Sequence, residues 1–157
     1  MPAYTGFKDK RCMADTVTPD QRSRIMAQVK GKNTKPELVV RSLLHRLGYR
    51  FRLHRKNLPG KPDIVLPRHR KVIFVHGCFW HGHADCKRSA RPTSRTEYWN
   101  AKIDRNMARD AAATAQLAAL GWTVLMLWEC ELRAAEALSD RLHGFLDTPN
   151  ETEEERV

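Results

Sequence analysis

Asp63-Ile64-Val65-Leu66-Pro67-Arg68-His69-Arg70-Lys71-Val72-Ile73-Phe74-Val75-His76 reads as two strands and the turn that joins them. Residues 63–66 and 71–76 are short runs rich in Ile, Val and Phe, and Pro67–Arg70 separates them with turn-forming residues. Upstream, Leu58-Pro59-Gly60-Lys61-Pro62 is a second turn and Tyr49–Leu53 a third strand, so the three predict an antiparallel meander. Before them, Thr34-Lys35-Pro36-Glu37 forms a capping box with proline in the first turn, and Leu38, Val39, Leu43, Leu44 and Leu47 follow at helical spacing until Gly48 stops the helix. Thr18-Pro19-Asp20 opens a shorter, basic helix carrying Ile25, Met26 and Val29.

Downstream, residues 77–91 are too irregular for helix or strand. Ser94-Arg95-Thr96-Glu97 is a second capping box, opening a helix that runs to about Leu120 and ends at Gly121. The apolar run Trp122–Trp128 is a buried strand, and Leu132–Phe145 a last amphipathic helix. The order helix, helix, three strands, helix, strand, helix predicts an α/β domain whose mixed sheet is flanked by helices. At 157 residues the chain is the size of one domain, expected over 18–147, between a flexible basic arm at 1–17 and an acidic tail at 148–157.

Charge narrows the class of partner. Residues 1–110 hold 25 Lys and Arg against 9 Asp and Glu, and residues 111–157 hold 3 against 9, giving +16 and −6. A field of that size on one part of a small domain attracts polyanions, and nucleic acid is the natural one. No run approaches the length of a membrane span, and Met1–Gly6 lacks the order of a secretory signal, so a cytosolic, reducing location is expected. There, four Cys read as metal ligands or plain thiols sooner than as a disulfide framework.

The densest chemistry lies in His76-Gly77-Cys78-Phe79-Trp80-His81-Gly82-His83-Ala84-Asp85-Cys86, with Cys130 just past the last strand. Zinc favours four sulfur and nitrogen ligands in a tetrahedron, and Cys78, His83, Cys86 and Cys130 would make a closed structural site tying the loop to the strand end. The spacing is not that of a standard finger, so unligated thiols or a Cys78–Cys86 disulfide is the competing reading. Cys12, in the basic arm, reads as a free thiol. Asp63 opens a strand behind Pro62, a rigid place from which a carboxylate can anchor Mg²⁺, although turn chemistry alone would also put an aspartate there. Phe79 and Trp80 lie in a loop of polar and ligand residues where core packing is hard to arrange; exposed, the pair would suit a wedge that unstacks a base step.

Taken together, residues 58–63, 72–81, 95–99, 121–122 and 128–130 resemble the bacterial very-short-patch repair (Vsr) endonucleases, in order and over roughly residues 20–135. The resemblance implies a restriction-endonuclease-like fold with a structural zinc site. It implies Mg²⁺-dependent nicking of double-stranded DNA, 5′ of the thymine in a T:G mismatch left by deamination of 5-methylcytosine. Asp63 would be the principal magnesium ligand, joined by the carbonyl of Val75, with Glu37 and Asp110 completing the acidic neighbourhood. His76 would contact the scissile phosphate and His81 act as general base or proton shuttle. Met26 would intercalate beside Phe79 and Trp80, while Arg22, Arg24, Lys30 and Lys32 hold phosphates. A cognate cytosine-5 methyltransferase and a repair polymerase would be its partners, and the protein a monomer in the bacterial cytoplasm, on the nucleoid. The stretch from His81 to Cys86 is one residue longer than the family's run, which leaves His81 or Asp85 as substitutes for His83, and Val75 stands where threonine is expected. A restriction-type endonuclease on matched DNA, and a zinc-stabilised DNA-binding protein without catalysis, are the alternatives. The first leaves the aromatic pair without work, and the second leaves Asp63, Asp110, Glu37 and His81 without it.

Overall fold

The Pro67–Arg70 turn is a single 3₁₀ turn over Pro67–His69, closed by Arg70 in the left-handed region at φ 48°. Its guanidinium donates to the carbonyls of Leu120 and Gly121 at 2.6 and 3.2 Å and lies over the Trp122 ring. In the computed structural model, which describes residues 18–149, the elements are α1 (Pro19–Ala27), α2 (Lys35–Arg46), β1 (Arg52–Leu53), β2 (Ile64–Leu66), β3 (Lys71–His76), α3 (Thr96–Ala119), β4 (Thr123–Trp128) and α4 (Ala135–Asp147). Most of the expected arm and tail, residues 1–17 and 150–157, and the side chains of Arg22 and Met26 within α1, lie outside what is described.

The four strands form one mixed sheet in the order β1-β2-β3-β4. The first three are the expected antiparallel meander, with Leu53 opposite Ile64 and Ile64 opposite Ile73. The fourth runs parallel to β3, with Val75 opposite Leu127 and His76 opposite Trp128. A parallel neighbour needs a long crossover, which α3 supplies. Side chains alternate between the faces. Ile64, Leu66, Ile73 and Leu127 pack against Val40, Leu43 and Leu44 of α2 and Leu138, Leu142 and Leu146 of α4. Val65, Val72 and Phe74 pack on the other face against Leu58 and Leu117, with Trp122, Val124 and Met126 beside them. Both faces are therefore covered near the centre, and the inner strands are apolar between Lys71 and His76 at the two ends of β3.

Capping follows the sequence at two helices and departs from it at a third. At α1, Thr18 Oγ1 accepts from the N–H of Gln21 while Gln21 Oε1 accepts from the N–H of Thr18. At α2, Thr34 Oγ1 accepts from the N–H of Glu37. The expected Ser94–Glu97 box does not cap α3. Arg95 takes the N-cap position in the left-handed region (φ 50°) without a side-chain cap, which moves the helix start on to Thr96. The first strand is shorter than Tyr49–Leu53 because Tyr49 and Phe51 turn into the core, leaving only Arg52 and Leu53 paired. The last helix begins at Ala135, not Leu132, because Glu129–Arg133 forms a 3₁₀ turn in which Glu131 accepts the N–H of Trp128 and pairs with Arg141. Buried Lys71 donates to the carbonyls of Phe145, Leu146 and Thr148, satisfying the end of α4. Among the described residues no helix is long and apolar enough to cross a membrane.

Candidate active site

The parallel pairing of β3 and β4 puts the residues after His76 and after Trp128 side by side, which is how Cys130 reaches the loop that follows β3. Ligand atoms of Cys78, His83, Cys86 and Cys130 all lie within 4.8 Å of one another. Cys130 Sγ is 3.4 Å from His83 Nδ1, close to the ~3.5 Å separation of sulfur and nitrogen on one tetrahedral zinc. The donor set of three sulfurs and one imidazole fits that ion. All three cysteines are free, so no disulfide joins Cys78 to Cys86. Burial pushes the Cys78 thiol up to about 12, a cost that a cation bound by the thiolate would reverse. His83 stacks on the Trp128 ring at 4.1 Å. Of the substitutes for His83, His81 is engaged elsewhere and Asp85 is not in the group; Asp85 takes a left-handed φ of 54° within the lengthened stretch.

A second group joins the same loop to α3. His81 Nδ1 lies 2.5 Å from Asp110 Oδ2, and the His81 ring stacks on His76 with centroids 3.8 Å apart and planes within 7°. His76 is 5% exposed, with the rings of Phe74 and Trp128 beside it, and its buried Nδ1 has no hydrogen-bond partner among the described residues. Burial, and then the neighbouring His81, lower the His76 imidazole to about 4, so the lower ring of the stack is neutral near pH 7.

The third group is Glu37, His54 and Asp63. Asp63 Oδ2 accepts the N–H of Val75 at 2.8 Å, tying the start of β2 to β3. Burial raises the Asp63 carboxyl to about 6, with nearby Glu37 adding to the rise against the Val75 hydrogen bond. A carboxylate held at that cost, with its second oxygen free of hydrogen bonds, beside a backbone carbonyl at Val75, is a donor set that suits Mg²⁺, which is ordinarily held by one or two carboxylates plus water and phosphate oxygens. Glu37 is less available. Its oxygens accept from the Thr34 hydroxyl (3.1 Å), the Asn33 N–H (3.0 Å) and Arg41 (2.6 Å), so it caps α2 and holds Arg41 while standing beside Asp63. Asp110 belongs to His81 and not to the Asp63 group.

His54 escaped the sequence reading because it stands alone among Arg52, Arg55 and Lys56 and belongs to no motif. The register that sets Leu53 opposite Ile64 carries the next residue, His54, to Asp63. Burial, opposed by Glu37 and assisted by Arg41, holds its imidazole below the usual histidine value.

The second and third groups line one cleft of about 920 Å³, together with Val75 and Trp80. Lys30, Lys32, Lys56, Lys61 and Arg109 also line it, a rim of positive charge suited to a phosphate backbone. Arg24, on α1, is exposed. Phe79 and Trp80 are half-buried, not the exposed pair expected. Trp99 of α3, itself 5% exposed, offers them an apolar wall, with ring centroids 5.5 and 6.1 Å away. Lys102 lies over the rings of Trp80, Tyr98 and Trp99.

Residues 14–88 match the sequence model of the family described as DNA mismatch endonuclease Vsr. The chain is 56% identical over 135 residues, 86% of its length and 98% of the relative's, to the type II nicking enzyme V.XorIIP of Xanthomonas oryzae pv. oryzae. It is 44% identical over 128 residues, 82% of this chain and 81% of the relative, to the DNA mismatch endonuclease Vsr of Escherichia coli K12. With the type II nicking enzyme V.NmeAIP of Neisseria meningitidis it shares 41% identity over 134 residues, 85% of this chain and 95% of the relative.

Proposed function

The chain belongs to the Vsr family of DNA mismatch endonucleases, and from that premise we propose that it nicks one strand of double-stranded DNA 5′ of the thymine in a T:G mismatch, by Mg²⁺-dependent hydrolysis. The observation that carries the reading is the cleft in which the His81–Asp110 pair and Asp63 face a common space under a basic rim. Hydrolysis of a phosphodiester needs a water relieved of its proton, a neutralised phosphate and a stabilised leaving oxygen. His81, oriented by Asp110, takes the proton. His76, neutral and stacked beneath it, fixes the plane of the His81 ring and offers its edge to the phosphate. Asp63 and the Val75 carbonyl would hold Mg²⁺, which would supply charge neutralisation for the phosphate oxygens. Glu37 acts on this site through Arg41, not as a ligand.

Trp80 and Phe79, seated against Trp99, form a stiff aromatic edge that enters the duplex at the mismatch, where stacking and pairing are already weak and the energy needed is least. Met26 joins them from α1, with Arg22, Arg24, Lys30 and Lys32 on the phosphates. Cys78, His83, Cys86 and Cys130 would hold zinc, which would tie the loop that bears His81 to the end of β4. Residues 18–147 act as one restriction-endonuclease-like nuclease domain, monomeric and cytoplasmic, on lesions left in the target of a cytosine-5 methyltransferase and repaired by a polymerase.

The test is a labelled duplex with one T:G pair in varied flanking sequences, incubated with purified protein and either Mg²⁺ or EDTA. A single nick beside the thymine, stopped by EDTA, is expected. Cutting of fully paired duplex at the same rate would show a restriction-type enzyme, and binding without cleavage a non-catalytic one.

A further inference from the structure

We propose that Arg41 locks His54 in its Nδ1–H tautomer, so that the imidazole donates through one water toward Asp63 Oδ1 and serves as a positioning residue of the cation site, not as one of its ligands. The proposal rests on the reading of Asp63 as the cation's carboxylate.

Three ligand-type side chains meet here, and by composition alone Glu37, His54 and Asp63 would make a mixed nitrogen and oxygen metal site. The hydrogen bonds say otherwise. Arg41 Nη2 lies 2.6 Å from Glu37 Oε2 and 3.0 Å from His54 Nε2, and a guanidinium nitrogen only donates. Nε2 also lies 3.5 Å from Glu37 Oε2, but that oxygen is already taken by Arg41 at 2.6 Å, and a proton on Nε2 would crowd the nearer Arg41 N–H, so Nε2 presents its lone pair to Arg41. The single proton of the neutral ring is left on Nδ1, which faces Asp63 Oδ1 at 4.0 Å. That nitrogen has no lone pair for a metal. The distance is beyond a direct hydrogen bond, and in the proposed arrangement one water would link the two.

The backbone fixes the same arrangement. His54 has a φ of 45°, in the left-handed region where non-glycine residues are uncommon, and its N–H reaches the Asp63 carbonyl at 3.4 Å. Such a conformation persists only where its surroundings hold it, here by the end of β1 on one side and Arg41 on the other. The lock keeps nitrogen out of the inner coordination sphere, leaving oxygen donors of the kind Mg²⁺ prefers.

Two measurements test this on the full-length protein. In long-range ¹H–¹⁵N spectra of ¹⁵N-histidine-labelled protein, with His54 assigned by the signal lost in His54→Asn, the unprotonated nitrogen should be Nε2; an unprotonated Nδ1 overturns the proposal. Binding of Mn²⁺, read by electron paramagnetic resonance with Mg²⁺ as competitor, should weaken about tenfold in His54→Ala. His54→Asn, which keeps a donor near the Nδ1 position and tolerates a left-handed backbone, should stay within about twofold of the parent. Asp63→Ala separates the two levels. If it abolishes binding while His54→Ala leaves affinity unchanged, the role of His54 is refuted and that of Asp63 stands; if it binds normally, both fall.

Discussion

His81 Nδ1 and Asp110 Oδ2 are 2.5 Å apart although 29 residues separate them in the chain. The loop after β3 supplies one and the middle of α3 the other, so the pair exists only while that loop is packed against the helix. A carboxylate on one ring nitrogen leaves the other to exchange a proton with what enters the cleft.

Removing the imidazole should therefore cost more than removing its partner. His81→Ala is expected to lower the single-turnover nicking rate at least about a hundredfold, the usual contribution of a general base. Asp110→Asn, which leaves the ring in place, should lower it less. Equal rates in His81→Ala and the parent would remove His81 from the chemistry.

Asp63 makes the cation-free protein sensitive to pH in a definite direction. Its carboxyl is raised to about 6 in the fold, against about 3.9 in an unfolded chain, so the folded state binds the extra proton between those values. The resulting stabilisation is complete below about pH 4 and is lost as pH rises through 6. Asp63→Asn should flatten that part of the stability curve and, above pH 7 in Mg²⁺-free buffer, be more stable than the parent by about 1–3 kcal/mol. Unfolding midpoints measured across pH 4–8 for both proteins decide the matter; a parental profile that rises with pH over this window would contradict it.

The cysteine cluster should hold one zinc ion per chain, counted by elemental analysis. Cys130→Ala should lose the metal and several kcal/mol of stability, because a structural site contributes its binding energy to folding. Full stability in the metal-free variant would mean that packing alone orders the loop.

Lys71 gives a test of the fold away from the cleft. Lys71 is 2% exposed, and its ammonium satisfies three carbonyls at the end of α4. Lys71→Met should lower the free energy of unfolding by about 2–3 kcal/mol in urea, since the carbonyls lose a charged donor while the methylene packing survives. A change below about 0.5 kcal/mol would show that water reaches these groups unaided.

Much of the site was legible in the sequence because its residues lie in motifs. The run His76 to Cys86 announced a loop of metal-ligand side chains, and Pro62-Asp63 a carboxylate at a strand start. What the motifs did not carry was which donor answers which. Glu37 is the acidic neighbour of Asp63 that the sequence suggested, but nothing in the motif showed that its oxygens also accept from Thr34, Asn33 and Arg41. Phe79 and Trp80 looked exposed because the loop around them is polar, and the wall that half-buries them, Trp99, lies on another element.

The sequence by itself determined the order of helices and strands, the turns at Pro59-Gly60 and Pro67–Arg70, and the apolar inner strands. These depend on spacings of two to four residues and on the fixed geometry of proline and glycine, which act within a turn of chain. Only the tertiary structure decided that β4 lies parallel to β3, that His54 stands beside Asp63, and that Asp110 belongs to His81. Each of these turns on strand register or on the rotation of a helix against the sheet. A shift of one residue in either points a side chain the other way, and no local period records it.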